Sequence, residues 1–487
     1  MALLPLVQGF FGLLCLSGMI VFAAAENSSV VACRELQTVL GNVTILPWQN
    51  QYLSLSTENW SRTAWAKPFC IIQPVDKPEL QQAVRILTSH QIHFAIRSGG
   101  HMPSPLAANI NNGVLVDMSR FNGVSYDATK NVATVGAGQR WDNVYNQLDP
   151  HNVTVVGGRV LDVGVGGLVL GGGLSYLSDL YGLACDNVVL ANASIVNANA
   201  QSNSDLWWAL KGGGNNFGIV TAFTLSTYPI HEVWGGIKSY TLDELPALFS
   251  AAIEYQSSPN KDPYANFMMQ AWTTNASVGA VMNMVYLKPE ASPSAFNPFY
   301  SIPTTSDTTK IQTLTQMMSG QIVPPIPRWD WFATSFQPNA TSYKQIESIV
   351  TTAPELKEIE SLTTGSLALG LQPISISAVL AGKARGGNAL GLEGVNQTWF
   401  VLDTGHWFAD DDEQAHDATR GIHAMIENVT NTDGNYVPYQ FMGDASYDQD
   451  VIGHYGAVNV QKLKRIQEKY DPELVFQKLV SGGFKLP

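Results

Sequence analysis

Charge is scarce in this chain, and positive charge scarcer: 14% of its 487 residues are charged, and 27 Lys and Arg stand against 40 Asp and Glu. A formal charge of -13 without any Lys/Arg cluster excludes nucleic acids and anionic membrane surfaces as partners, because both are held by basic patches. Cysteine is also sparse, with four in all and no CxxC pair, and no two histidines have HExxH spacing. That pattern argues against zinc. Internal repeats and low-complexity tracts are missing. What remains is a globular composition, 45% hydrophobic, long enough for two or three domains at roughly 150 residues each.

The N-terminal run is apolar from Leu3 to Phe22 and ends in Ala23-Ala24-Ala25 before Glu26. Small residues followed by polar sequence read as a secretory cleavage site, although the positive n-region is missing and Arg34 is the first basic side chain. The alternative is an uncleaved anchor, since the run is long enough to span a bilayer. Sequons at Asn27, Asn42, Asn59, Asn152, Asn192, Asn275, Asn339, Asn396 and Asn428 fit passage through the secretory pathway. Cys15 leaves with such a signal; Cys33 and Cys70 are placed to close a disulfide, and Cys185 is left over as a small buried residue.

From Ile71 the pattern is strand, helix, strand. Asp76 with Glu79 three residues on predicts a capped helix with Leu80, Ala83, Val84 and Leu87 on its apolar face. The next strand, Ile92 to Ile96, delivers "RSGGH", Arg97 to His101. Gly-Gly lets backbone N–H groups approach an anion, Arg97 adds positive charge, and His101 is a nucleophile or ligand at the tip. A helix is predicted near Trp141 to Leu148.

The segment 155–189 is the richest in glycine, at 157, 158, 164, 166, 167, 171, 172 and 173. Backbone must pass very near another chain segment or a phosphate-bearing ligand there. A dinucleotide fingerprint fails because Val169 stands where GxGxxG from Gly164 needs its last glycine, and "GLSYL" is no GxSxG elbow. A second glycine triplet, "KGGGNNFGIVT", precedes a β-rich run from Phe217 to Leu225. Past Trp234 glycines thin out and aromatics rise, marking a separate domain to about Tyr439; an amphipathic helix from about Val458 to Tyr470 follows.

Four ordered motifs carry a resemblance: Arg97 to His101, Gly164 to Val189, Asp205 to Thr221 and Tyr455 to Phe476. Together they resemble the FAD-linked oxidases of the berberine bridge enzyme type, within the vanillyl-alcohol oxidase flavoprotein superfamily, and most of all its fungal secreted branch. The resemblance implies an α+β fold in which a two-part FAD-binding domain (26–234 and 441–487, after a signal at 1–25) is interrupted by an α+β substrate domain with an antiparallel sheet (235–440). It implies that Arg97, Ser98, Gly99, Gly100, His101, Gly164, Gly166, Gly167, Val169, Gly171, Gly172, Gly173, Gly218, Val220, Tyr455 and Asn459 surround FAD. His101 would be bonded to the flavin through a ring nitrogen. The cysteine that makes a second flavin bond in many relatives is Val160 here, so attachment through His101 alone is expected. Val169 would lie over the flavin edge and favour access of O2; Leu168 replaces the histidine of many plant relatives.

On the substrate side the resemblance places a base on the last strand of the middle domain, which points to Tyr436 and Tyr439. A phenol of ordinary pKa ~10 must be tuned downward for that work. Trp272, Trp329, Trp331, Trp399 and Trp407 are candidates to stack an aromatic substrate, and Asp410 to Glu413 is expected to be a solvated helix start. The implied function is a secreted FAD oxidase that takes a hydride from a small alcohol, phenolic or secondary-metabolite intermediate and returns the electrons to O2 as H2O2. The expected partners are the substrate and O2, with no stable membrane association after signal cleavage. Alternatives are a carbohydrate oxidase of the same fold or an inactive flavin-binding protein.

Overall fold

The computed structural model describes residues 28–182, 188–189 (backbone alone), 195–275, 279–320 and 324–487. The N-terminal leader, Cys185 and the sequons at Asn27 and Asn192 lie outside the described residues. Among the described residues no helix is long and apolar enough to cross a membrane.

The first sheet contains β1 (Thr44–Ile45), β2 (Cys70–Ile72), β3 (Phe94–Arg97) and β4 (Val114–Asp117) in the order β1-β2-β4-β3, parallel except for β1. The crossover from β2 to β3 is the helix Lys77–Ser89. Its first turn is closed by the Asp76 carboxylate, which accepts from Glu79 N–H at 2.9 Å, and Leu80, Ala83, Val84 and Leu87 are fully buried. A disulfide joins Cys33 on the helix Ser28–Val39 to Cys70 on β2. Near the C-terminus the chain returns to this sheet: Phe94 N–H donates to Leu479 and Ser481 N–H to Phe94, each at 2.8 Å.

Two small antiparallel sheets follow. After β5 (Val124–Asp127), β6 (Val132–Gly136) and β7 (Thr154–Val155), the strands β8 (Val188–Val189), β9 (Ile195–Val196) and β10 (Ile219–Val220) pair with one another. The seven-residue β11 (Ala222–Tyr228) then completes the sheet β5-β6-β11-β7.

A large antiparallel sheet comes next: β12 (Glu232–Tyr240), β13 (Ala265–Trp272), β14 (Gly279–Tyr286), β15 (Ser306–Asp307), β16 (Lys310–Thr313), β17 (Arg328–Phe336), β18 (Ser366–Ile374) and β19 (Gln397–His406). Its eight strands run in the order β15-β12-β14-β13-β18-β19-β17, with β16 also on β12. Successive side chains alternate between faces. One face carries Phe267, Met269, Met282, Met284, Leu369, Leu371, Phe400 and Leu402 into a core with the helices Leu245–Ser257, Ala340–Thr352, Glu355–Ser361 and Asp412–Thr432. The opposite face is left for the site. The helix Ala457–Tyr470 ends the substantial elements.

Two expectations differ from the structure. Tyr436 and Tyr439 are not on a strand; after the helix Asp412–Thr432 the chain makes a single bridge between Tyr436 and Phe336, and the last strand of the large sheet is β19. The acidic run Asp410 to Glu413 does start a helix, Asp412–Thr432, as expected, and Asp412 in addition pairs with Arg328 and with His406. The Asn59 sequon is closed to modification in the folded chain, since its side chain is buried and accepts from Arg97 Nη1 at 3.1 Å.

Arg97 is 1% exposed and stands opposite Asp117 in the β3–β4 register, to which it is ion-paired. Removing the guanidinium strands a buried carboxylate, a loss of about 3–5 kcal/mol. Arg97→Met is expected to lower the urea midpoint accordingly, and Arg97→Met with Asp117→Leu to recover a large part of it. Equal stability of the wild type and the single variant would refute this assignment.

Candidate active site

The turn after β3 is set by backbone contacts. Alternation at the strand end turns Ile96 and Ser98 to one side and Arg97 to the other. Ser98 Oγ donates to Ala137 C=O at 2.6 Å and accepts from Gly166 N–H at 3.1 Å, which ties the turn to the helix Val165–Leu170. Gly99 and Gly164 touch through their backbones: a Cβ on Gly164 would lie 2.3 Å from Gly99 N. Gly100 has φ +62°, a conformation that suits glycine, and it presents His101.

His101 lies flat on Trp60, with ring centroids 4.5 Å apart and planes 7° apart, and Trp329 and Trp331 extend the aromatic cluster. Burial, aided by the Arg140 charge, pushes its pKa down to about 4, so the imidazole is neutral near pH 7. Its Nε2 is buried and has no hydrogen-bond partner among the described residues.

Beside His101 lies a cavity of about 840 Å³. One wall comprises Ser98 to Met102, Gly164, Gly166 to Leu168, Leu170, Gly171, Gly214, Asn215, Gly218 to Val220, Gly483 and Phe484. The other is the free face of the large sheet, whose residues fall in cross-strand rows. Trp331, Asp403, Ala368, Trp272 and Gly279 form one row, and Val401, Gly370, Gln270, Val281 and Ser239 the next. Arg159, Val160, Gln372 and Asp444 also line the cavity.

Asp403 is the one carboxylate on those rows. It has no hydrogen-bond or ion-pair partner among the described residues, and desolvation first, then the Asp444 and Asp330 charges, raises its pKa well above the usual carboxylate range. Asp444 is pushed up to about 6, again by burial first, while Gln372 Nε2 donates to it at 2.7 Å.

The first wall fits a dinucleotide cofactor. Gly167 has open space where a Cβ would be, so a ligand can lie directly on its backbone, and His101 lines the same space. Residues 68–199 match the family model described as FAD binding domain. The bifunctional solanapyrone synthase of Alternaria solani is 35% identical over 470 residues, covering 94% of this chain and 89% of that protein. An FAD-dependent monooxygenase of Arthrobotrys oligospora is 35% identical over 93% of this chain and 89% of its own length. The chain belongs to the FAD-linked oxidoreductases of the berberine bridge enzyme type. Solved structures agree on the fold: Physcomitrella patens BBE-like 1 has a TM-score of 0.74 at 18% identity, over 94% of this chain and 99% of its own. Glucooligosaccharide oxidase from Acremonium strictum, described with a 6-S-cysteinyl, 8α-N1-histidyl FAD, scores 0.74 at 18% identity over 93% and 99%.

The cavity wall holds Ser98, Gly99, Gly100, His101, Gly164, Gly166, Gly167, Gly171, Gly218 and Val220 of the expected flavin residues. Others lie elsewhere. Arg97 turns away to Asp117. Val169, expected at the flavin edge, faces the core with Val165 four residues before it, while Leu168 and Leu170 reach the cavity. Gly172 and Gly173 are off the wall; Tyr455 Oη donates to Gly212 C=O and Asn459 Nδ2 to Ala389 C=O, so these two brace loops.

Neither tyrosine expected as the base reaches the cavity. Tyr439 is packed against Trp399, and burial raises its pKa well above the ordinary phenol value. Tyr436 is likewise pushed up to about 12 by burial, opposite to the tuning a base needs. Of the tryptophans, Trp272, Trp329 and Trp331 line the cavity, Trp399 is core and Trp407 is exposed. The one local mark of Asp403 is that it is the lone carboxylate of the strand "QTWFVLDTGH"; nothing local marks Trp60.

A methyl group on Gly167 meets no protein atom, so Gly167→Ala is expected to keep the melting temperature of the flavin-free protein and to reduce the flavin content of the purified enzyme severalfold. Undiminished flavin would remove this surface from the cofactor site.

Proposed function

We propose that the protein is an oxidase that removes a hydride from a carbon bearing or adjoining oxygen or nitrogen in a small organic substrate, with O2 as final acceptor and H2O2 as product. The observation that carries this reading is Asp403, a desolvated carboxyl without a partner among the described residues, on the cavity-facing row between Trp331 and Ala368. Bound FAD supplies the hydride acceptor. Asp403 takes the proton that leaves the substrate's O–H or N–H, or its acidic carbon, as the hydride departs. Trp272 and Trp331, on either side of Asp403 in the row, hold the substrate flat against the sheet and exclude water.

His101 is proposed as the covalent anchor. Its neutral ring, place on the cavity wall and seat on Trp60 support this, as does the histidyl flavin described for the Acremonium oxidase. Val160 on the cavity wall supports a single bond, because valine has no thiol to make a second. Most of the sheet face is apolar, with Met268, Trp272, Val281, Trp331 and Val401, which favours an alcohol, phenolic or secondary-metabolite intermediate over a carbohydrate. Entry into the secretory pathway is part of the proposal; the Cys33–Cys70 disulfide suits an oxidising compartment.

A base must be ionised, and burial raises the Asp403 pKa, so the rate of flavin reduction is expected to climb with pH through a value above the normal carboxylate range and then level off. Asp403→Asn is expected to reduce the anaerobic rate ~100-fold or more and to abolish that rise, with flavin content unchanged. A variant as fast as the wild type, measured by stopped-flow absorbance, would place the base elsewhere.

A further inference from the structure

Arg159 is the one guanidinium on the cavity wall. Its Nη2 donates to Gln372 Oε1, and the ring of Tyr176 lies 5.9 Å from its guanidinium carbon. Among the described residues no carboxylate comes within 4 Å, and Nε and Nη1 have no acceptor. Asp444 stays on the far partner of the network, accepting from Gln372 Nε2. Gln372 therefore presents its oxygen to Arg159 and its nitrogen to Asp444, which fixes both side chains and leaves part of the guanidinium fork open to the cavity. Asp444 is the opposite charge nearest to act on Arg159, but it does so across Gln372 and without direct contact, so the planar fork remains free to match the two oxygens of an acid.

We propose that Arg159 is the specificity residue of the substrate cavity and that the substrate carries an acidic oxygen, as a carboxylate, enolate or phenolate, which the guanidinium receives. The proposal rests on the reading of this cavity as an oxidase's substrate site. Trp272, Trp331 and Trp329 on the sheet wall of the same cavity give the rest of the ligand flat apolar surfaces, which makes benzoate a suitable probe and benzamide its neutral counterpart.

Purified holoenzyme is titrated with each, following both the flavin absorbance shift and tryptophan fluorescence, for the wild type, Arg159→Lys and Arg159→Met. The wild type is expected to bind benzoate at least about tenfold more tightly than benzamide. Arg159→Met should erase that preference with benzamide affinity unchanged, and Arg159→Lys, which keeps the charge and loses the fork, should fall between. Equal wild-type affinities overturn the proposal, as does a preference that survives in Arg159→Met. An altered flavin spectrum in Arg159→Met with benzoate binding intact would assign the guanidinium to the cofactor instead. Should Arg159→Met not fold, the wild-type comparison and Arg159→Lys decide. Tryptophan fluorescence reports binding without flavin or turnover, so peroxide production with no preference for benzoate rejects this proposal alone, whereas benzoate preference without peroxide rejects only the oxidase reading.

Discussion

The backbone contact between Gly99 and Gly164 brings together two segments 65 positions apart and leaves no room for a side chain on either. Ser98 reinforces it by bonding to both Ala137 and Gly166, so the turn that carries His101 and the helix Val165–Leu170 become one surface. From that contact follow the position of His101 on Trp60, the exposure of Gly167 to the cavity and the inward facing of Val165 and Val169. Arg97 contributes from behind. Its pairing with Asp117 holds the end of β3, so its charge acts on the frame and not on the ligand.

The opposite wall depends on strand alternation. In β13, β14, β18 and β19 one set of side chains builds the core beneath four helices, and the other set forms the rows that meet the cavity. Large apolar groups are tolerated on both faces because both are covered, one by helices and one by the site. A carboxyl in such a row is expensive, and its raised pKa expresses that cost. The same desolvation that disfavours the charged form makes Asp403 a stronger proton acceptor than a carboxylate in water.

Much of this was legible in the sequence. The capped helix after Asp76, the strand ending in RSGGH, the glycine-rich approach, the Cys33–Cys70 bridge and the antiparallel middle sheet all follow from local chemistry or from ordered motifs. Which side of an element faces the ligand was harder. Val169 and Leu168 are neighbours with opposite fates, decided by a helix phase that glycine-rich sequence leaves open. The tyrosines near 436 were chosen because the resemblance puts a base on the last strand of the middle domain, whereas Pro438 and the end of the preceding helix leave this stretch irregular. Trp60 and Arg159 belong to the site through contacts across the fold that no local pattern encodes.

The central claim is that one cavity joins a flavin held at His101 to a substrate held against the large sheet. It is tested most directly by denaturing the purified protein in acid, digesting it and locating the flavin by fluorescence and mass spectrometry. A single fluorescent peptide that contains His101 and carries one flavin is expected, with none on the peptide containing Val160. Flavin released entirely into the supernatant, or attached to any other residue, would contradict it.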